Sequence, residues 1–271
     1  MNVHQTESDS HLEKYILQQL KKHNVEPKKW KKVIFNFCKE VSSKVMLDEK
    51  RDKLDVRKYV HIKVMHEEEG KEVVPNHSKY YSGVVFKKHV AHKSMNTKIE
   101  KPRILVYDGS IEYSTLLSVQ KFVTFENLVS SEEQYLKNVV ERIASLKPNL
   151  LIVSKSISRI ALQLLLEKGI TCVRNVKTSL LYRTARFVGA KVIKLNNFSN
   201  AQLALGTCPS FYVSQFKCLS GKKVSFVFFD GTFPQLGGTL LLRGDSLNNL
   251  LKVKQILQVI PTLSPSSFTF S

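Results

Sequence analysis

No stretch of the chain approaches the roughly 18 consecutive apolar residues that a helix needs to cross a bilayer. The opening MNVHQTESDSHLEKY has no apolar run after a basic start, so it does not read as a secretory signal. Both absences point to a cytosolic or membrane-peripheral protein. Paired cysteines are also missing: Cys38, Cys172, Cys208 and Cys218 are scattered with no CxxC spacing. That excludes a zinc-dependent lipid-binding finger within this chain and any disulfide framework, and it leaves reduced, mostly structural thiols. No GxxxxGK[ST] loop, GxGxxG fingerprint, GxSxG elbow or HExxH helix occurs. Acidic residues are few, with 23 Asp and Glu against 42 Lys and Arg, a net charge of +19. Such a surplus favours an anionic partner, whether an acidic protein, a membrane face or nucleic acid. The bland alternative is a lysine-rich, solubilising surface. Aromatic residues do not interleave with basic ones as in an RNA-recognition signature, so no specific nucleic-acid partner is expected.

What is present is a chain of 271 residues, 42% hydrophobic, long enough for a sizeable core. HLEKYILQQLKKH, from His11, has helical spacing with Ser10 as its cap. PKKWKKVIFNFCKEVSSKVM reads as a second helix, with Pro27 in its first turn and Trp30, Ile34, Phe37, Val41 and Val45 on one side. LDEKRDKLDVRKY is a solvated connection, YVHIKV a strand, HEEEGKEVVPNHSKY a loop and YYSGVVF a strand. PRILVYDG carries the apolar run Ile104, Leu105 and Val106, the mark of a strand covered on both faces. A helix capped by Ser130 or Ser131, with a stripe of Tyr135, Leu136, Val139, Val140 and Ile143, leads to the buried strand NLLIVSK. SISRIALQLLLEKGI is a helix closed by Gly169, ITCV a strand, Thr178 to Val188 a helix and AKVIKL a strand. Alternation of strand and helix implies parallel pairing. FYVSQF and KKVSFVFF then alternate with period two, as an antiparallel pair turning at Ser220-Gly221. GTLLLRG is a further strand, and Ser246 opens a helix through Leu250, Val253, Ile256 and Leu257 that Pro261 ends. PTLSPSSFTFS reads as a disordered tail.

Two features invite a chemical reading. His89 and His92 in KKHVAHK could suggest metal ligands, but flanking lysines and the lack of clustered Cys or carboxylate favour a plain loop pair. FFDGTFPQLGGTLLLRGDS contains Asp230-Gly231-Thr232 and a later Gly-Gly, which could cradle phosphate. A phosphate loop needs a helix N-terminus straight after the glycine. Phe233-Pro234-Gln235 leads instead toward another strand, so a turn is expected.

SGVVFKKHVAHKSM, KPRILVYD with IEY, EEQYLKNVVERIASLKPNLLIVSKSISRIALQLLLEKGIT and GGTLLLRG resemble, in order, the apical domain of group II chaperonins and its return to the intermediate domain. LDVRKYVHIK, ISRIA, LGTCPSFYVSQF and FFDGTFPQLGGTLLLRG are similar to the chaperonin-like region of PIKfyve-type phosphatidylinositol-3-phosphate 5-kinases. The resemblance implies an α/β fold, a GroEL-like chaperonin apical domain with intermediate-like flanks and an N-terminal helical pair. It implies a helical subdomain and connection at 1–58, an intermediate-like strand and loop at 59–79, the apical-like domain at 80–237, an intermediate-like strand and helix at 238–260 and the tail at 261–271.

The departures are as informative. A chaperonin's equatorial nucleotide-binding domain has no counterpart here, and Val259 stands where the resemblance places the hydrolytic aspartate. The segment after IEY is too short for the helical lid, and HEEEGKEVVPNHSK replaces a Gly-rich turn. No catalytic residue, cofactor site or metal site is therefore expected. ATP and magnesium would belong to a kinase domain outside this sequence, which the resemblance implies is a fragment of a longer lipid kinase. The implied function is non-catalytic regulation and scaffolding, peripheral to endosomal or vacuolar membranes, with a HEAT-repeat scaffold and a Sac-family lipid phosphatase as partners and an anionic membrane as a further candidate. The alternative is a stand-alone chaperonin-type polypeptide binder without ATPase activity. In either case the protein-binding surface lies on the helix from Ser156 to Lys168. There Ile157, Ile160, Ala161, Leu164 and Leu165 are expected to face the sheet, and Arg159, Leu162, Gln163 and Leu166 to face a partner. The competing expectation is that another segment of the chain covers Leu162 and Leu166.

Overall fold

The computed structural model describes residues 2–44, 59–65, 78–113, 125–194, 205–217 and 223–260, with side chains described throughout these except at 2–8 and 125–130. Two compact units divide the chain. One takes Met1–Phe86, Gln215–Val224 and Gly231–Ser271, and the other Lys87–Ser214 and Ser225–Asp230.

In the first unit, helices α1 (Asn2–Lys22) and α2 (Pro27–Lys44) form an antiparallel-type pair joined by a tight turn. Asn24 sits in the left-handed region (φ 51°), and Val25 N donates to Leu20 O at 3.0 Å, closing α1 where asparagine tolerates that geometry. Helix α1 starts at Asn2, so Ser10 lies inside it and does not cap it. The polar NVHQTESDS has no apolar rhythm to read, yet it holds no Pro or Gly that would stop a helix from propagating. Trp30, Ile34, Phe37 and Val41 of α2 are buried as their spacing requires. Val45 and most of the expected connection and loop lie outside the described residues.

The stripe packs on a three-stranded sheet of β1 (Val60–Val64), β2 (Lys79–Tyr81) and β11 (Gly238–Leu242). Strand β11 is central, parallel to β1 with Val60 opposite Gly238 and antiparallel to β2 with Leu240 opposite Tyr80. Helix α6 (Leu247–Val259) completes this core with Leu250, Val253, Ile256 and Leu257. Ser246 caps it, its Oγ accepting from Asn249 N at 3.3 Å. The expected single strand YYSGVVF is two, β2 and β3 (Gly83–Lys87), broken at Ser82. The break has a cause: Ser82 O accepts both the backbone N–H and the hydroxyl of Thr232, while the fully buried Thr239 hydroxyl donates to Gly83 O (2.8 Å) and accepts from Val85 N (3.2 Å).

The second unit holds a parallel four-stranded sheet in the order β7 (Thr171–Val173), β6 (Leu150–Val153), β5 (Ile104–Tyr107), β8 (Val192–Ile193). Every residue of β5, β6 and β7 is buried, as a strand covered on both faces demands. The crossovers are α3 (Phe125–Ser145), α4 (Arg159–Glu167) and α5 (Thr178–Val188). Helix α3 begins at Phe125, ahead of the expected caps Ser130 and Ser131, and its stripe buries Leu136, Val140 and Ile143. A short strand that the sequence pattern did not reveal, β4 (Lys98–Glu100), pairs antiparallel with β9 (Ser210–Lys217), next to β10 (Lys223–Asp230). Tyr212 stacks on Phe228 at 4.7 Å and 6°, joining those two strands.

Candidate functional site

Asp230-Gly231-Thr232 forms no anion cradle. Gly231 turns the chain (φ 76°), Asp230 accepts from Tyr212 OH at 3.5 Å, and a single helical turn, Pro234–Leu236, precedes β11. Gly-Gly serves packing instead. A Cβ on Gly237 would run into the Tyr59 carbonyl, and one on Gly238 into the Tyr81 carbonyl, because β11 threads between backbones on both sides. Cys38, Cys172 and Cys208 are buried and free, and burial pushes each thiol up to about 12, so none offers a thiolate nucleophile. Val259, exposed on α6, carries no group that could orient a water.

The chain's recess of interest runs along α4. Ser158 starts this helix, its Oγ accepting from Ala161 N at 3.2 Å. At the other end Gly169 (φ 70°) permits two closing bonds, Gly169 N to Leu166 O and Ile170 N to Leu165 O, both 2.9 Å. Leu165 and Ile170 are both buried there, so the hydrophobic contact that accompanies such an end is in place. With both ends fixed, Ala161 and Leu165 point into the unit. Ile160 does not: it is 36% exposed, against the expectation that it faces the sheet, because it lies about 100° round the helix from Ala161 and further still from Leu165, the two buried residues that define the inward side.

Arg159, Leu162, Gln163 and Leu166 come together on one side, lining an open groove of about 320 Å³ with His92 and Glu167. Leu162 and Leu166 are half-buried, and the other three residues of α4 in the groove are exposed. Arg159 stands at one end and Glu167 about 12 Å away at the other, at 1.5 Å per residue. Gln163 Nε2 reaches Glu167 Oε1 at 3.4 Å. The floor is apolar and the ends are oppositely charged, an arrangement that can bind a peptide and orient it. It has no paired nucleophile and base.

Sequence reasoning missed His92 and Glu167. Glu167 lies one helical turn beyond Gln163 and could have been found by extending the spacing. His92 gave no such signal, because its place depends on contacts made far along the chain. Ala91 N donates to Cys172 O at 2.7 Å and Cys172 N to Met95 Sδ at 3.3 Å, which lays the loop beside β7. His92 Nδ1 accepts from Ser94 N at 3.2 Å, and His89 Nδ1 sits 3.1 Å from Val90 O. Among the described residues no three His, Cys, Asp or Glu side chains gather as metal ligands, and no helix is long and apolar enough to cross a membrane.

The family model for the TCP-1/cpn60 chaperonin family matches residues 3–258. The 1-phosphatidylinositol 3-phosphate 5-kinases of Mus musculus and Homo sapiens are each 36% identical over 248 residues, 89% of this chain and 11% of theirs. An Arabidopsis thaliana 1-phosphatidylinositol-3-phosphate 5-kinase is 40% identical over 185 residues, 65% of this chain and 10% of that protein. The chain thus spans about a tenth of the length of these curated relatives. Among solved structures, the open-state monomer of a group II chaperonin from Methanococcoides burtonii matches with a TM-score of 0.68, over 92% of this chain and 54% of that one, at 19% identity. That likeness is one of fold.

Proposed function

Given that the chain belongs to the TCP-1/cpn60 chaperonin family, as a chaperonin-like region homologous to the phosphatidylinositol 3-phosphate 5-kinases, we propose that it serves such a kinase as a non-catalytic docking and regulatory region. On this reading phosphoryl transfer, with its nucleotide and magnesium, belongs to other parts of such a kinase. The region works at the periphery of endosomal or vacuolar membranes, holding a HEAT-repeat scaffold protein and a Sac-family lipid phosphatase.

The observation that carries the reading is the α4 groove. Arg159, Leu162, Gln163 and Leu166, nominated from resemblance, line one recess. A partner segment with two apolar side chains one helical turn apart would cover Leu162 and Leu166, with an acidic group at the Arg159 end. Contacts of this kind concentrate binding energy in a few buried side chains with charged groups around them.

Affinity purification of the tagged chain from its own cells, with Leu162→Asp/Leu166→Asp and Arg159→Glu alongside, tests the reading. Recovery of the scaffold and the phosphatase by the parent chain, lost in the double variant and weakened in Arg159→Glu, is expected. Arg159 is exposed, so its reversal leaves the core intact and guards against a mere folding defect. Recovery of a broad set of unfolded proteins would overturn the reading in favour of a stand-alone polypeptide binder, and unchanged recovery by both variants would remove the groove from it.

A further inference from the structure

Between Glu167 and Asp230 the sequence contains no acidic residue, yet it contains ten Lys and Arg. The sheet of the second unit gathers part of this charge at one edge. Strand β5 is flanked by β6 on one side and β8 on the other, so the chain reverses its winding direction at β5. At such a point the loops leave the carboxyl ends of neighbouring strands in opposite senses and open the edge to a ligand.

Backbone hydrogen bonds fix which residues stand there. Ser154 N donates to Tyr107 O, Gly109 N to Ser154 Oγ and Lys155 N to Gly109 O, tying the ends of β5 and β6. Asn175 N donates to Lys155 O and Val176 N to Val153 O, adding the end of β7, while Asp108 N donates to Ile193 O and adds the end of β8. Lys155, Arg174, Lys177 and Lys194 therefore line the carboxyl edge, and all four are exposed. The edge spans three interstrand spacings, about 14 Å. None of the four side chains has an ion pair or hydrogen bond among the described residues, although six other lysines do pair with carboxylates. The two carboxylates of the edge are Asp108 and Glu112, and Asp108 Oδ2 already accepts from Tyr182 OH at 3.2 Å. Tyr182 itself is 45% exposed beside these cations.

We propose that this carboxyl edge, through Lys155, Arg174, Lys177 and Lys194 around Tyr182, docks on anionic lipid head groups at a membrane surface. The inference rests on the membrane-peripheral part of the function proposed above. Charge complementarity selects an anion, and the distribution of charge selects a surface. The cations rise from three separate strand ends, Lys155 after β6, Arg174 and Lys177 in the loop after β7 and Lys194 after β8, and are spread along the edge and not gathered on one strand end. Long lysine stems can reach a plane of head groups, and an exposed tyrosine suits the interface of water and acyl chain.

Flotation of the purified 271-residue chain tests this with vesicles of phosphatidylcholine alone, with phosphatidylserine added, or with phosphatidylinositol 3-phosphate added. The expected result is binding to the two anionic compositions, weakened at high salt, and a loss of about tenfold or more in Lys177→Glu/Lys194→Glu. The neutral pair Lys177→Gln/Lys194→Gln is expected to fall in between. Lys28→Glu/Lys32→Glu changes net charge equally on α2, where both lysines are exposed, and is expected to bind nearly as the parent does. An equal loss in that control would overturn the proposal, since net charge alone would then explain binding. Competition by soluble inositol phosphate, without any dependence on the vesicle, or retention on polyglutamate in place of vesicles would overturn it in favour of a free anion or an acidic protein. No partner protein is in the assay, so failure here leaves the α4 groove reading standing, and loss of scaffold capture leaves this one standing.

Discussion

At the residue scale, the clearest interaction is a carboxylate that ties two distant parts of the first unit together. Asp245 Oδ2 accepts from the indole of the fully buried Trp30 at 2.8 Å, and its Oδ1 accepts from Ser246 N and from Asn249 Nδ2. Burial alone would push this carboxyl up. The bonds from Trp30, Asn249 and Ser246, with the charge of Lys29, hold it below the usual carboxylate value. A carboxyl lowered in the folded state stabilises the fold above its unfolded value near 3.9, and that contribution is lost as pH falls through the lowered value. Trp30→Phe is thus expected to cost about 1–3 kcal/mol at pH 7 in a urea titration, with the gap between variant and parent narrowing below about pH 4. Glycine substitutions separate two kinds of cost. Gly237→Ala meets the Tyr59 carbonyl at φ 99° and is expected to cost about 3 kcal/mol or more, while Gly189→Ala, with φ 70° and open space around it, costs about 1 kcal/mol. Similar urea midpoints for the two would remove the packing explanation of Gly-Gly.

Elements carry the next set of consequences. Helix α4 is nine residues long, too short to persist by itself, so its ends decide how well the groove is held. Ser158→Ala removes the cap at Ala161 N and is expected to cost about 1 kcal/mol, with faster amide exchange in the first turn of α4. A matching fall in partner affinity, with Leu162 and Leu166 untouched, would mark the groove as dependent on a rigid helix. Much of this architecture was legible. Ile104 to Val106 and Leu150 to Val153 read as covered strands because their apolar runs are unbroken, and Thr178 to Val188 matches α5. Legibility failed where the determining contact is remote. Lys98–Glu100 is polar and becomes a strand only by pairing with Ser210–Tyr212, and Ile160 is apolar yet exposed because the inward side of its helix is set by Ala161 and Leu165, about 100° or more away from it. His92 joined the groove through a loop that β7 holds in place, information that no local pattern contains.

For the whole molecule, the ends of the described chain meet in the first unit: Val60 pairs with Gly238, about 180 positions later, and α6 covers the same core as α1 and α2. The second unit is nearly continuous, its strands and helices following one another from Lys87 to Ser214. During synthesis at roughly 5–20 residues per second, α1, α2 and β1 therefore wait something like ten to thirty-five seconds for the strand that completes their sheet. Throughout that interval Trp30, Ile34 and Phe37 lack their final cover, and a cell must shield them or tolerate their exposure. The segment between them can close its own core in the meantime. The Gly-Gly step is thus also a matter of timing: about 180 residues after β1 is made, β11 must enter between two strands synthesised long before it, and the absence of a side chain at Gly237 and Gly238 lets it pass.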